Sequence, residues 1–230
     1  MAGRPAEVQH VKTTFATECT SARALVSAIL AVPPKVRSSP NPGLHPKHAE
    51  QVVELAFMAV VASWEEFLED SLVRYVAGAK TASSYRPTPK FGLASNISHA
   101  YQIVSQNSTY DQQRDYLKVT DPNWVRNSAS FIFKVHTYNC LQTKTDLIKH
   151  ASAIRNRVAH SSEKCRADFR STALHFLQPA SGKLAQGYGP GKLLLTPVQR
   201  HFGQPAVQQG LTHFEAYLRM YEALAQQIVP

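Results

Sequence analysis

The sequence predicts a helical protein folded as one domain, on three observations. Apolar residues recur at intervals of three and four through most of the 230 residues, the spacing of a one-sided helix. Proline and glycine gather between these stretches rather than inside them, where they act as breaks. The composition, 43% hydrophobic and 18% charged, provides enough apolar side chain to bury a core and does not describe a disordered chain.

Taken in order, residues near 6 to 31 carry Val8, Val11, Phe15, Leu25, Ile29 and Leu30 at mainly helical spacing. This first helix must stop by Pro33-Pro34, because proline cannot continue it. Residues 33 to 46 hold five prolines (33, 34, 40, 42 and 46) with Ser38, Ser39 and Gly43, which reads as an exposed loop. From Lys47 to about Ala79 runs the strongest helical pattern, with Val53, Phe57, Val60, Trp64, Phe67 and Leu68 on one face. Gly78 suits its end. Residues 81 to 90, with Pro87 and Pro89, form another loop. Short helices are expected over 96–106, 110–118 and 122–134, the last started by Asp121 as cap and Pro122 in the first turn. Helices follow over 143–160 and 163–177. Residues 179–205 contain five glycines and four prolines, which forbids a long helix there. Leu193-Leu194-Leu195 within it reads as a short strand. A last helix, from Ala206 to about Ile228, carries Val207, Leu211, Phe214, Leu218, Tyr221 and Leu224. The organisation expected is therefore a single domain over 1–230 with a Gly/Pro-rich insertion, 179–205, before the final helix.

Charge narrows the partners. A formal net charge of +9 attracts polyanions through counterion release, RNA among them, although a basic chain is also simply a soluble one. Cys19, Cys140 and Cys165 are far apart and odd in number, so no disulfide framework is implied, which fits a reducing compartment. The amino-terminal stretch lacks the apolar run of a secretory signal, and the longest apolar stretch, near Leu55 to Ala62, is too short for a bilayer. A cytoplasmic protein without a membrane span is the expectation. Gly187 to Gly191 does not lead into a Lys-Ser/Thr pair, so no phosphate-binding P-loop is read there. His45 and His48, with His99 and His136 elsewhere, lack the cysteine or paired carboxylate that would complete a metal site. No cofactor and no metal are expected.

The chemistry concentrates at the end of the 143–160 helix. Leu147, Ala151, Ile154 and Val158 form its apolar stripe. At about 100° per residue, Lys149, Ala153, Asn156 and His160 point nearly the opposite way, with Arg155 on the flank. Such a polar face is ordinary solvated helix, or a site that something else completes, such as a second subunit. The residue types suit phosphodiester cleavage. RNA carries its own nucleophile, the 2′-hydroxyl, so proton transfer and charge stabilisation suffice. Histidine moves protons near neutral pH, and arginine offers a forked, permanently charged donor set for phosphate oxygens. Asn156, four residues before His160, is placed to orient the imidazole or meet the ribose.

The run Ile154-Arg155-Asn156-Arg157-Val158-Ala159-His160 resembles the signature of the HEPN superfamily, an Arg, a polar residue and, a few positions on, a His. The stretch Ala62 to Asp70 (ASWEEFLED) is similar to the long early helix of the HEPN group that includes RiboL-PSP-type domains. These anchors span about residues 47 to 165. The resemblance implies an all-α, up-and-down helical bundle that dimerises through the motif helices, so that two Arg–His pairs make one composite cleft. It implies a metal-independent endoribonuclease of toxin or antiviral-defence type, leaving cyclic phosphate and 5′-hydroxyl ends, with an antitoxin or an activating defence protein as a further partner. In that scheme Arg155 holds the phosphate, His160 acts as acid or base, Asn156 takes the polar second position, and Glu65 supports the site from the neighbouring helix. The long stretch 179–205 departs from a compact bundle of this kind.

Two other classes stay open. A HEPN-like dimer that binds RNA or a protein without cutting it would carry the same motif. Transfer of a nucleotide group would need a partner to provide the missing phosphate loop. Glu65, Glu66, Glu69 and Asp70 read as the wet face of a helix or as catalytic carboxylates. Tyr85, Arg86, Lys90 and Phe91 mix charge and aromatic rings in a loop, a composition that suits single-stranded RNA.

Overall fold

The structure, a computed structural model, describes residues 7–35 and 43–230. The proline-rich loop is seen at its two ends, where Leu44 donates to the Pro33 carbonyl and Lys35 to the Leu44 carbonyl, both at 2.8 Å. Residues 36–42 of that loop, and the expected helix start at residue 6, lie outside the described residues.

The fold is all-α. Among the described residues the helices are α1 (Gln9–Leu30), α2 (Pro46–Val76), α3 (Ile97–Ser105), α4 (Pro122–Ile132), α5 (Thr145–Ala159), α6 (Glu163–Leu177), α7 (Pro190–Leu195), α8 (Gln204–Gln208) and α9 (His213–Ile228). A 3₁₀ helix, Thr137–Lys144, leads into α5, and two short strands, β1 (Thr88–Pro89) and β2 (Phe133–Val135), pair antiparallel. None of the described helices is long and apolar enough to cross a membrane.

Four expectations about elements are corrected. Residues 110–118 are turns rather than a helix. Asp111 accepts from the Gln113 amide and Asp115 from the Asp111 amide, both at 2.9 Å, and such side-chain bonds to the backbone compete with helix. The helix expected over 122–134 ends at Ile132, whose carbonyl takes the Lys90 amide at 2.8 Å as β2 begins. Leu193 to Leu195 close a helix, not a strand, with Gly189 as N-cap and Pro190 in the first turn. The last helix is two, because Gly210, at φ +62°, turns the chain between α8 and α9.

The chain divides into two compact units, one of Met1–Ala16, Ser63–Ile148 and Glu222–Pro230, the other of Thr17–Ala62 and Lys149–Tyr221. In the first, Phe15 packs on Trp64 and Phe67, at ring-centre distances of 5.6 and 5.5 Å. Two tyrosine hydroxyls buried in this unit have partners. Tyr138 pairs with Ser71 at 2.9 Å, and the Tyr75 hydroxyl donates to the Ile228 carbonyl at 2.9 Å. In the second unit, Phe57 meets Tyr217 edge-on at 5.3 Å, and Phe176 lies among Tyr217, Phe202 and His213. The 179–205 stretch is anchored in this unit at Gly191. Its amide donates to the Glu54 carboxylate at 2.8 Å, and any Cβ there would collide with the main chain at Glu50. Only glycine permits so close an approach.

Candidate functional site

α5 starts on Thr145 and carries Asp146 in its first turn and Arg157 in its last, the charge order that complements the helix dipole. Its inward side is Leu147, Ile148, Ala151 and Ile154, all buried. Three of the four residues of the expected stripe are thus in the core, while Val158 is only half-buried because the helix is about to end. On the other side Lys149 is exposed and Asn156 half-buried.

The helix stops at Ala159, one residue before His160. The His160 amide still donates to the Asn156 carbonyl at 2.9 Å, and the His160 carbonyl accepts from the Arg157 guanidinium at 3.3 Å. The backbone of His160 is therefore tied down on both sides while its side chain is exposed. Only Ser161 and Ser162 separate it from α6, which Ser162 caps by accepting from the Cys165 amide at 3.3 Å. Arg155, half-buried, donates to the Asn156 side-chain oxygen at 3.0 Å. The arrangement brings a permanently charged fork, a carboxamide that steadies it and a solvent-facing imidazole into six consecutive residues. Chemically, an arginine fork can grip an oxyanion and an exposed imidazole can exchange protons.

Glu65 lies in α2, half-buried, and belongs to the first unit, whereas Arg155, Asn156 and His160 belong to the second. Its carboxylate neighbours divide. Glu66 is exposed, Asp70 meets Arg74 at 3.5 Å, and Glu69 accepts from the Tyr101 hydroxyl at 3.0 Å. Burial pushes the Glu69 carboxyl above its ordinary range.

Sequence reasoning missed a histidine array. His150 of α5 stacks on His175 of α6 at 4.5 Å, and His201 meets His175 at a tilt, 4.2 Å away. His150 bonds Thr172 at 3.0 Å. A signal was present: α5 and α6 form a hairpin closed at residues 160–162, so positions equally far from the closure, such as 150 and 172, come opposite. His213 is buried beside this array, its Nδ1 2.8 Å from the Thr196 carbonyl. Burial first, and then the charge of His201, holds its imidazole below the usual histidine range. Among the described residues no three His, Cys, Asp or Glu side chains are grouped as metal ligands.

Compared with protein-family profiles, with curated proteins and with solved structures, the chain matches none.

Proposed function

We propose that this chain is a metal-independent endoribonuclease of toxin or defence type, acting as a HEPN-like homodimer on RNA. The observation that carries the reading is the end of α5, where Arg155 is steadied by Asn156 and His160 presents an exposed ring on an anchored backbone. Arg155 takes the scissile phosphate. A histidine removes the proton of the 2′-hydroxyl, whose oxygen attacks phosphorus, the bond to O5′ breaks, and O5′ receives a proton. The products are a 2′,3′-cyclic phosphate and a 5′-hydroxyl. One proton leaves and one arrives, so two proton-handling groups serve the step best, and His160 of a second copy would be the other. The formal charge of +9 favours RNA as the polyanion, and a cytoplasmic setting with an antitoxin or activating partner belongs to the same reading.

The test is cleavage of total and transfer RNA, with EDTA present, by wild type, Arg155→Ala and His160→Ala. Wild type alone should produce cyclic phosphate ends, with the His160 variant slower by about 10²- to 10⁴-fold. Equal cleavage by folded variants would sink the proposal. Salt-dependent binding of RNA with no new ends from any of the three would favour the non-catalytic binding module instead.

A further inference from the structure

The loop that mixes aromatic and basic residues folds against α4 in the first unit, and its two ends have different fates. Tyr85 turns inward and meets Tyr75 edge-on at 6.1 Å. Phe91 turns outward: 81% of its surface is exposed, and its ring lies 6.1 Å from that of Phe131, itself 53% exposed. The pair is rigidly mounted. Lys90 donates its amide to the Ile132 carbonyl at 2.8 Å and its ammonium to the Ser130 carbonyl at 2.6 Å, and β1 pairs with β2 just beyond. Two neighbouring aromatic rings held open to solvent on a hydrogen-bonded frame make an apolar patch of the sort that serves as a binding surface.

The charges beside them in sequence have one sign. Residues 86–93 and 122–136 contain Arg86, Lys90, Arg126 and Lys134, and no Asp or Glu. A carbonyl partner leaves the charge of Lys90 unneutralised. The field of Lys90 and Arg126 reaches His136, where after burial it is the next cause holding that imidazole below its usual range. An apolar protein surface would leave these cations without counter-charge, whereas a nucleic-acid strand offers both flat bases and phosphates.

We infer that Phe91 and Phe131, flanked by Lys90, Arg126 and Lys134, form a stacking platform for single-stranded nucleic acid. The base stacks on the exposed ring and the adjoining phosphates face the cations. Duplexes, whose bases are already stacked, are poor occupants. The inference stands apart from the cleavage reading, since binding here is read at Phe91 and cleavage at His160.

Fluorescence anisotropy with labelled oligouridylate, oligothymidylate and a duplex of equal length, using the whole chain, tests it. Wild type should bind both single strands more tightly than the duplex. Phe91→Ala should weaken single-strand binding by about 5- to 150-fold, the effect of losing one stacked base, with the salt dependence unchanged. Lys134→Gln should instead lower the salt slope by about 0.7. Phe91→Trp should keep binding, which separates stacking from any structural effect of the substitution. A wild type that does not bind single strands, or binds them equally well without both rings, overturns the inference. So does a homodimer that dissociates on Phe91→Ala in light scattering while no strand binds, which would make the patch a protein interface. Binding of DNA as tight as RNA would leave the platform in place and remove RNA as its particular ligand.

Discussion

Replacing His213 with Phe isolates the acid response of a single buried group. The ring is 2% exposed, with Phe176 and Phe202 centred 5.0 and 6.0 Å away. Its Nδ1 and its own amide both address the Thr196 carbonyl, at 2.8 and 3.0 Å. Removing the imidazole therefore leaves that carbonyl with a partner, and a phenyl ring suits the aromatic surroundings. The folded imidazole is held below its ordinary pKa, so the unfolded chain binds this proton first as pH falls. The sign follows: stability is full above the unfolded value near 6.5 and is lost as pH drops from there toward the folded value. Over that window one such proton costs about 1.4 kcal/mol per pH unit, or about 3–5 °C in melting temperature for a chain of this size. His201, whose imidazole is also held low by burial and by His175, adds to the same response from an exposed position. Melting curves by circular dichroism from pH 5.5 to 7.5 should show a shallower acid slope in His213→Phe than in wild type, and nearly equal stability at pH 7.5. Parallel slopes would refute the assignment of this proton to His213.

Gly191→Ala places a methyl group against the Glu50 main chain, which cannot retreat without moving α2, so a loss of about 3 kcal/mol in urea unfolding is expected. The Glu54 carboxyl is raised mainly by burial, so its charged form is disfavoured in the fold. Glu54→Gln should raise the melting temperature at pH 7.5, and the difference should vanish below pH 4, where glutamate is protonated in both states. Tyr138→Phe leaves the Ser71 hydroxyl its Leu68 carbonyl at 3.3 Å but removes the Tyr138 bond, and should cost about 1 kcal/mol by thermal unfolding. His160→Ala removes an exposed ring and should leave the melting temperature within about 1 °C of wild type, measured beside the RNA assay.

The long periodic helices were legible because their apolar residues repeat over many turns. The bounds of α6, Glu163–Leu177, agree with the spacing. What could not be read depended on contacts distant in sequence. Leu193 to Leu195 carry no period of their own, and they become helical in a segment whose Gly191 fits against Glu50. The 110–118 stretch has aspartates four residues apart whose side chains capture backbone amides, a choice that periodicity does not weigh. Arg155, Asn156 and His160 could be grouped from the sequence because they fall within six residues where α5 ends. Of the His150–His175–His201 array, the α5–α6 hairpin could have brought the first two together, but His201 joins them from the loop before α8, which no local pattern places.

That array sharpens the choice of proton-transfer group. A histidine that serves as acid or base needs a fixed backbone and a ring that substrate can reach. His213 has the first without the second, its ring buried and its Nδ1 placed on a carbonyl. His136 is half-buried with Nε2 bonded to Ser130 at 3.0 Å, and His150 is half-buried against Thr172. His175 and His201 are exposed but lie ring against ring at 4.2 Å, each covering one face of the other. Of these six, His160 combines both properties, with its amide and carbonyl bonded within α5 and its ring in solvent. The same comparison predicts which substitutions separate stability from chemistry. Changes at His213 should alter the acid slope of unfolding, and changes at His160 should alter cleavage of RNA while leaving the melting temperature near that of wild type.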